Sequence, residues 1–486
     1  MMVHAGPAVA GADAYNRRTY RFGQWTKCSR FILHLWKDLV RLCLRMALPA
    51  PEYSKFANIG RFSACFSAKP NPLFDRSVTY LVIDVPLKRQ TTEKKAGIPP
   101  SLRKLLHQHE AWRLGQCLNL LPSENISSPA VRGMLSCDLA NRYTSPERFY
   151  MGTKYTDQIQ TETETLAKEI FRANYADVRP LSGHSADMIA LTALAKRGDK
   201  MITVGPGNGG YPGISQAGYP KIYGLQVLEF PFNRRVFNID TEQAGVFIER
   251  ERPSVVVFGA SLILFPHPVQ ALAGVCKQVG AKVVFDGSHV LGLIAGGEFQ
   301  DPLREGAAVL IGSTHKSFFG PQGGIILSNA YEESLRKEVH PAIVDNAHWN
   351  RIAALQVALY EMKRFGKRYA QQVVRNSKAL AKALDQHGVK LLGNEAGFTE
   401  SHQVIVDVPS GIEGFRLAKQ LEEANIIVDI AVRIGTSEET RRGMREDEMA
   451  QIAELIARVW VSNEDPARVK REVLRLRRDF SPIHFA

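Results

Sequence analysis

Cysteine is scarce in this sequence: six residues among 486, at Cys28, Cys43, Cys65, Cys117, Cys137 and Cys276, with no CxxC pair and no histidine spacing that suits zinc. The scarcity excludes a disulfide scaffold and a structural zinc site, so no metal is expected and a reducing, cytoplasmic setting fits. No uncharged apolar run reaches the roughly 18 residues of a membrane-crossing helix, so no membrane span is expected. Internal repeats and low-complexity tracts are missing, as is any RNA-recognition or zinc-finger pattern.

Acidic residues are outnumbered, 49 against 62 Lys and Arg, giving a net charge of +13. The excess is local. Residues 1–100 hold 16 basic and 6 acidic side chains, a net of +10, which leaves +3 for the rest of the chain. A uniformly basic face is therefore absent and no nucleic-acid partner is expected. Within the basic stretch, FILHLWKDLVRLCLRMAL (31–48) places Ile32, Leu35, Leu39 and Leu42 at helical spacing, with Lys37, Arg41 and Arg45 four apart. That pattern is an amphipathic basic helix without the uncharged centre of a secretory signal. Residues 1–95 read as a dispensable or mis-started extension, the alternatives being organelle targeting or a membrane-surface helix.

A chain of this length divides into two or three folding units. The linker QTTEKKAGIPP (90–100) closes the extension. Residues 96–174 read as an N-terminal, site-forming arm, with helices over 101–118 and 158–172 flanking a Pro-, Ser- and aromatic-rich stretch. Over 175–335 the apolar runs MITV (201–204), LQVLEF (225–230), SVVVFGA (254–260), KVVFD (282–286), VLIGS (309–313) and GIILS (324–328) alternate with helix-length segments. They predict an α/β unit with a buried, mostly parallel sheet between helices, whose ligands bind beyond the carboxyl ends of the strands. Residues 336–486 read as a smaller α+β unit: a long helix over 346–386, strands at 403–408 and 426–435, and a final helix near 446–461.

The chemistry gathers at two strand ends. Lys316, in STHKSFFGPQGGI, follows a buried strand, where lost solvation lowers an amine pKa until the neutral form attacks an aldehyde. Most lysines are solvated surface residues. This one has Ser313, Thr314 and His315 before it, and Gly320, Gly323 and Gly324 after it, where a backbone can approach a bound group. Asp286 closes KVVFD and needs a cationic partner if buried. A protonated pyridine nitrogen would serve, with His289 beside it for a phenolic oxygen or a substrate. SGHSADM (182–188) opens a helix whose amides suit a phosphate, although Ser and Gly are also ordinary cap residues. Tyr211, in GNGGYPG (207–213), could stack on a ring or could simply occupy a turn. Arg433 ends a strand in AVRIGT and could fork onto a carboxylate.

Together LLPSENISSP, NRY, RFYMGTKY, SGHSADM, GNGG, FDGSHVLGLIAGG, STHKSFFGPQGGI, GFTESHQV and RIGTSEETRRG, in that order, resemble the serine hydroxymethyltransferase family over about 112–465. The likeness is greatest to its archaeal branch, and GFTESHQV and the RRGM end are also similar to L-threonine transaldolases. The resemblance implies a fold-type I pyridoxal-phosphate transferase with a seven-stranded-type sheet, working as a homodimer with shared active sites. It implies pyridoxal 5'-phosphate as cofactor and tetrahydrofolate or a related pterin as co-substrate, with serine and glycine as amino-acid substrates in one-carbon metabolism.

By motif position, Lys316 is implied as the Schiff-base lysine, Asp286 as the pyridine partner and His289 as its neighbour. Ser182, Gly183, His184 and Ser185 are implied as the phosphate cup, with Tyr211, Ser261, Ser313, Gly323 and Gly324 also at the cofactor. Ser123, His315 and Arg433 are implied at the amino acid, while Tyr143 and Tyr150 would reach into the neighbouring subunit's site. The family carries a carboxylate two residues after the NRY tyrosine; here YTSPERFY is about three residues shorter and Ser145 stands in that place, so Glu147 is the candidate substitute for handling protons. Tyr211 replaces the usual histidine, and HPAIVDNAHWN (340–350) replaces the glycine-rich loop of bacterial members.

Three readings compete. The first is serine–glycine hydroxymethyl transfer. The second keeps the bond cleavage with another acceptor, as a threonine aldolase or transaldolase, or acts on 2-methylserine. The third is a non-catalytic binding protein, which has no use for Lys316, Asp286 and Arg433 together.

Overall fold

The computed structural model describes residues 97–144, 149–408 and 410–486. The basic extension with its 31–48 helix, as well as Ser145 and Glu147, lies outside the described residues. Gly97–Ala486 form one compact unit.

Seven strands make the main sheet: β1 Tyr175–Asp177, β2 Lys200–Thr203, β3 Gln226–Glu229, β4 Val255–Phe258, β5 Lys282–Asp286, β6 Val309–Ser313 and β7 Gly324–Ser328. Their order across the sheet is β1-β7-β6-β5-β4-β2-β3, and every pairing is parallel except those of β7, which runs antiparallel to β1 and β6. β4, β6 and β7 are buried at every residue, as expected of strands covered on both faces. Asp286 and Ile311 pair across β5 and β6, so the carboxyl ends of these strands open on the same edge. This register is what brings Asp286 and the turn to Lys316 together.

Two helices pack against the sheet. α1, Lys154–Phe171, packs outside the sheet, and α2, Gly183–Leu194, runs back from the end of β1 across β6 and β7. The 38-residue α3, Trp349–Gln386, would extend about 57 Å at the standard rise. Its first half joins the core around the sheet, through Ile352, Leu355, Leu359 and Tyr369, and its end joins a second core through Leu380 and Leu384. That second core holds the antiparallel pair β8 Gln403–Ile405 and β9 Arg433–Gly435, with α4 Glu446–Trp460 and α5 Pro466–Arg478 packed on it. Leu118–Asn119 pairs with Ile426–Ile427, which takes Leu118 and Leu120 into the second core, while Val131, Ala167 and Phe171 join the first.

Several local expectations differ from what is found. The helix expected over 101–118 ends its α-helical winding at His109 and widens into a π turn over Glu110–Leu114, where the Gly115 amide donates to Glu110 O five residues back. The run 426–435 is two short strands, because Asp429 accepts from the amides of Ala431 and Arg433 and turns the chain between them. β1 and α5 were not expected. Three residues ending in a charge give β1 too short an apolar signal, and α5 is so rich in Arg that its apolar face, Val469 and Val473, is hard to see.

Candidate active site

The end of β5 is tied to the end of β6 by side-chain hydroxyls and main-chain bonds. Asp286 is buried, and its Oδ1 accepts from the Ser288 amide at 2.9 Å. Ser288 Oγ in turn accepts from the Ser313 amide at 3.0 Å. Beyond Ser313 the chain turns sharply: Thr314 donates its amide to Gly323 O at 3.0 Å and its hydroxyl to Pro321 O at 2.6 Å. Lys316 sits in this turn, its carbonyl accepting from Asn125 Nδ2 at 2.8 Å, and the next carbonyl, Ser317 O, accepts from the Tyr369 hydroxyl at 2.9 Å. Desolvation pushes the Lys316 pKa below the usual lysine value, Asp286 and Asp187 oppose this, and Arg433 adds to it. A lowered pKa makes the neutral, nucleophilic form of the amine easier to reach.

α2 begins over the same edge. Ser182 caps it, accepting from the Ser185 amide at 3.0 Å, and the Ser182 amide donates to Ser185 Oγ at 2.9 Å. Each hydroxyl thus accepts from the other residue's amide, and the first-turn amides of Gly183 and His184 are of the kind that lack an intrahelical acceptor. Gly183 has to be glycine: a Cβ there would stand 2.3 Å from Ser313 Oγ. Tyr211 meets His184 edge-on, with ring centroids 5.8 Å apart.

A third wall comes from the chain around β8 and β9. Arg433 Nε donates to Asp429 Oδ2 at 2.7 Å, and Nη1 donates to Ser261 O at 2.9 Å. Arg433 opens β9 rather than ending a strand, as the sequence had suggested, because the turn at Asp429 precedes it. Ser123 is half-buried next to Pro122, whose backbone lies against Gly435. Gln403 Nε2 lies 2.9 Å from His289 Nδ1, and the His289 and His402 rings stack at 5.7 Å. Burial lowers the pKa of His289 well below the usual histidine value, that of His402 to about 3 and that of His315 to about 4. The imidazoles of the pocket are therefore neutral at physiological pH.

These groups suit pyridoxal phosphate. A helix amino end can hold the phosphate, a carboxylate at a strand end can hold a cationic ring nitrogen, and a desolvated lysine can meet the aldehyde. His184 Nδ1, His315 Nδ1 and Asp187 Oδ2 are buried polar atoms without a hydrogen-bond partner among the described residues, as expected where a polar ligand belongs.

The serine hydroxymethyltransferase family model matches residues 100–456. The chain belongs to this family. Serine hydroxymethyltransferases are pyridoxal-phosphate-dependent enzymes, and the sheet described above is the fold-type I arrangement. The chain is similar to the serine hydroxymethyltransferase of Methanocella arvoryzae, 44% identical over 387 residues, covering 76% of this chain and 92% of that one. It is also similar to that of Pyrococcus horikoshii, 41% identical over 413 residues, covering 79% and 96%. Among solved structures, the L-threonine transaldolase of Pseudomonas fluorescens superposes with a TM-score of 0.75 at 26% identity, covering 79% of this chain and 93% of that one.

Of the residues the family motifs single out, Lys316, Asp286, His289, His315, Ser313, Gly183, His184, Tyr211, Ser261 and Arg433 line this one edge of the fold. Gly324 packs beneath it, where a Cβ would stand 2.2 Å from Ser182 O, and Gly323 leaves room for Arg351. Tyr143 and Tyr150 do not join them within the chain. They stand exposed in an edge-on contact of 5.0 Å, with Tyr143 donating to Asp345 Oδ2 at 2.9 Å.

Sequence reasoning did not single out Asp187, Asn125, Gln403 or Asp429, each of which touches or flanks a named residue here. Asp429 had a signal, its spacing of four before Arg433, and Gln403 lay inside GFTESHQV. Asn125 lay inside LLPSENISSP, although 191 residues separate it from the carbonyl it holds, and Tyr369, 52 residues from its carbonyl, had no signal.

Proposed function

We propose that this chain interconverts serine and glycine, passing a one-carbon unit to tetrahydrofolate or a related pterin. The observation that carries the reading is the convergence of Lys316, Asp286 and Arg433 on one strand edge amid neutral imidazoles. The bound cofactor supplies an aldehyde for amines and a ring that takes up the electron pair left when the Cα–Cβ bond of serine breaks. The protein's residues do the rest. Lys316, its pKa lowered by desolvation, would hold the cofactor's aldehyde until the substrate amine takes its place. Asp286 keeps a proton on the ring nitrogen, and Arg433 fixes the substrate carboxylate, with Asp429 and Ser261 holding the guanidinium plane. His289 and His315 present uncharged imidazoles, which hydrogen-bond the substrate and cofactor without adding charge.

The working form is a homodimer in which Tyr143 and Tyr150 serve the partner's site. Their exposure together with Phe149 and Met151, at 77% and 88%, is what supports this, since so large an apolar patch seldom faces water. A cytoplasmic location accompanies the reading. Among the described residues no helix is long and apolar enough to cross a membrane.

Cleavage without a pterin, as a threonine aldolase or transaldolase or on 2-methylserine, is the second reading. Ser145 in place of the family carboxylate and the likeness to a transaldolase structure favour it. Turnover of serine with and without tetrahydrofolate, beside threonine with an aldehyde acceptor, separates the two. The first reading expects strong pterin dependence, and a Glu147→Gln loss of roughly two to four orders of magnitude with threonine cleavage spared. Serine turnover indifferent to pterin would overturn it. Deletion of residues 1–95 is expected to leave cofactor binding and turnover intact.

A further inference from the structure

Asp187 is a buried carboxyl group in the pocket to which the reading above gives no role. It lies three residues after His184 on α2, so the two side chains share a face of that helix. The helix starts hard against the ends of β5 and β6, where a Cβ on Gly183 would stand 2.3 Å from Ser313 Oγ and 2.9 Å from Ser288 Oγ. Asp187 is 2% exposed, and its Oδ2 has no hydrogen-bond partner among the described residues.

The charged groups acting on it are Asp286 at the end of β5 and Lys316 after β6, and the neighbouring titratable groups are His184 on its own helix and Tyr211 on the facing loop. Burial, and then the Asp286 charge, push its pKa well above the ordinary aspartate value, while Lys316 opposes them. Two carboxylates would thus face one amine, which itself must be neutral to react. An ionised Asp187 would be an uncompensated buried charge beside a like charge. A neutral carboxylic acid has instead an O–H to give, and Oδ2 is the oxygen left free to give it.

The geometry points to Asp187 as a protonated carboxylic acid whose Oδ2–H donates a hydrogen bond to the bound cofactor beside Asp286, leaving Asp286 as the one ionised carboxylate that faces Lys316. The inference rests on the pyridoxal-phosphate reading and deepens it. A donor at this place binds the cofactor without competing with Asp286 for the ring proton.

Infrared difference spectroscopy of wild type minus Asp187→Asn at neutral pH reads the protonation directly. A protonated-carboxyl C=O band present in wild type and lost in the variant is expected; only carboxylate bands in the difference would overturn the assignment. Pyridoxal-phosphate titration of the cofactor-free protein reads the donor. Asp187→Asn, whose amide still donates, should bind within about threefold of wild type, whereas Asp187→Leu should bind about tenfold or more weakly, the worth of one hydrogen bond. Asp187→Ala serves as a second donor-free variant if the leucine protein does not fold. Wild-type affinity in either donor-free variant would overturn the proposal. A wild-type chain that takes up no pyridoxal phosphate would mark failure of the cofactor reading, and the infrared band would still report the state of Asp187.

Discussion

Gln403 fixes the tautomer of His289. Its Oε1 accepts from the Ile263 amide at 3.1 Å, so its NH2 faces Ser261 O at 3.1 Å and His289 Nδ1 at 2.9 Å. Nδ1 is therefore the acceptor, and the proton of this neutral imidazole sits on Nε2, the nitrogen on the other side of the ring. Gln403→Leu should leave pyridoxal phosphate bound while turnover falls by roughly 10- to 100-fold, the scale on which partners that orient a functional histidine act. Absorbance of the bound cofactor and turnover at saturating serine, measured on one preparation, check this. Undiminished turnover would remove Gln403 from that role.

Arg433→Lys keeps the charge and loses the fork. KM for the amino acid should rise roughly 10- to 100-fold, with affinity for pyridoxal phosphate unchanged, because a point charge cannot make two parallel bonds to a carboxylate. An unaltered KM would place the substrate carboxylate elsewhere.

Asp286→Asn should retain the covalent attachment of the cofactor to Lys316 but lose about two or more orders of magnitude in turnover, a loss typical of removing a group that stabilises developing charge. Near-normal rates would show that the ring proton is held by something other than Asp286.

His267 provides a test of pH dependence outside the site residues. It is buried, Nδ1 accepts from the Gly259 amide at 3.0 Å, and burial lowers its pKa from 6.5 to about 4. Because the folded-state pKa is the lower one, the unfolded chain binds more protons between these values. The stability contribution is thus present above pH 6.5 and lost as the pH falls toward 4. Urea unfolding of wild type should show stability falling over that window, and His267→Asn should reduce the fall by up to about 3 kcal/mol. Equal slopes for both proteins would contradict the assignment.

Much of the sheet could be read from the sequence because β4, β5, β6 and β7 are short apolar runs buried on both faces, and such runs are hard to mistake when helix-length segments separate them. The ends of β5 and β6 were equally readable, since Asp286 and Lys316 carry their chemistry within a few residues of a strand. What could not be read is what only the folded chain assembles. Asn125 reaches Lys316 O from 191 positions away, and Gln403 reaches His289 from 114. Asp187 was hidden differently: in SGHSADM it looks like one more polar residue of a capped helix start, and only its burial and its unpartnered oxygen set it apart. β1 was missed because Asp177 ends it, and the pairing with Arg179 at 2.6 Å that allows this charge to be buried has no sequence pattern of its own.

The most direct test of the account is to reduce the cofactor-loaded protein with borohydride and map the labelled peptide. The pyridoxyl group should be found on Lys316 alone, and Lys316→Ala should show neither label nor the visible absorbance of the lysine-bound cofactor. A label on any other lysine, or an Lys316→Ala protein that is still fixed to its cofactor by borohydride, would contradict it.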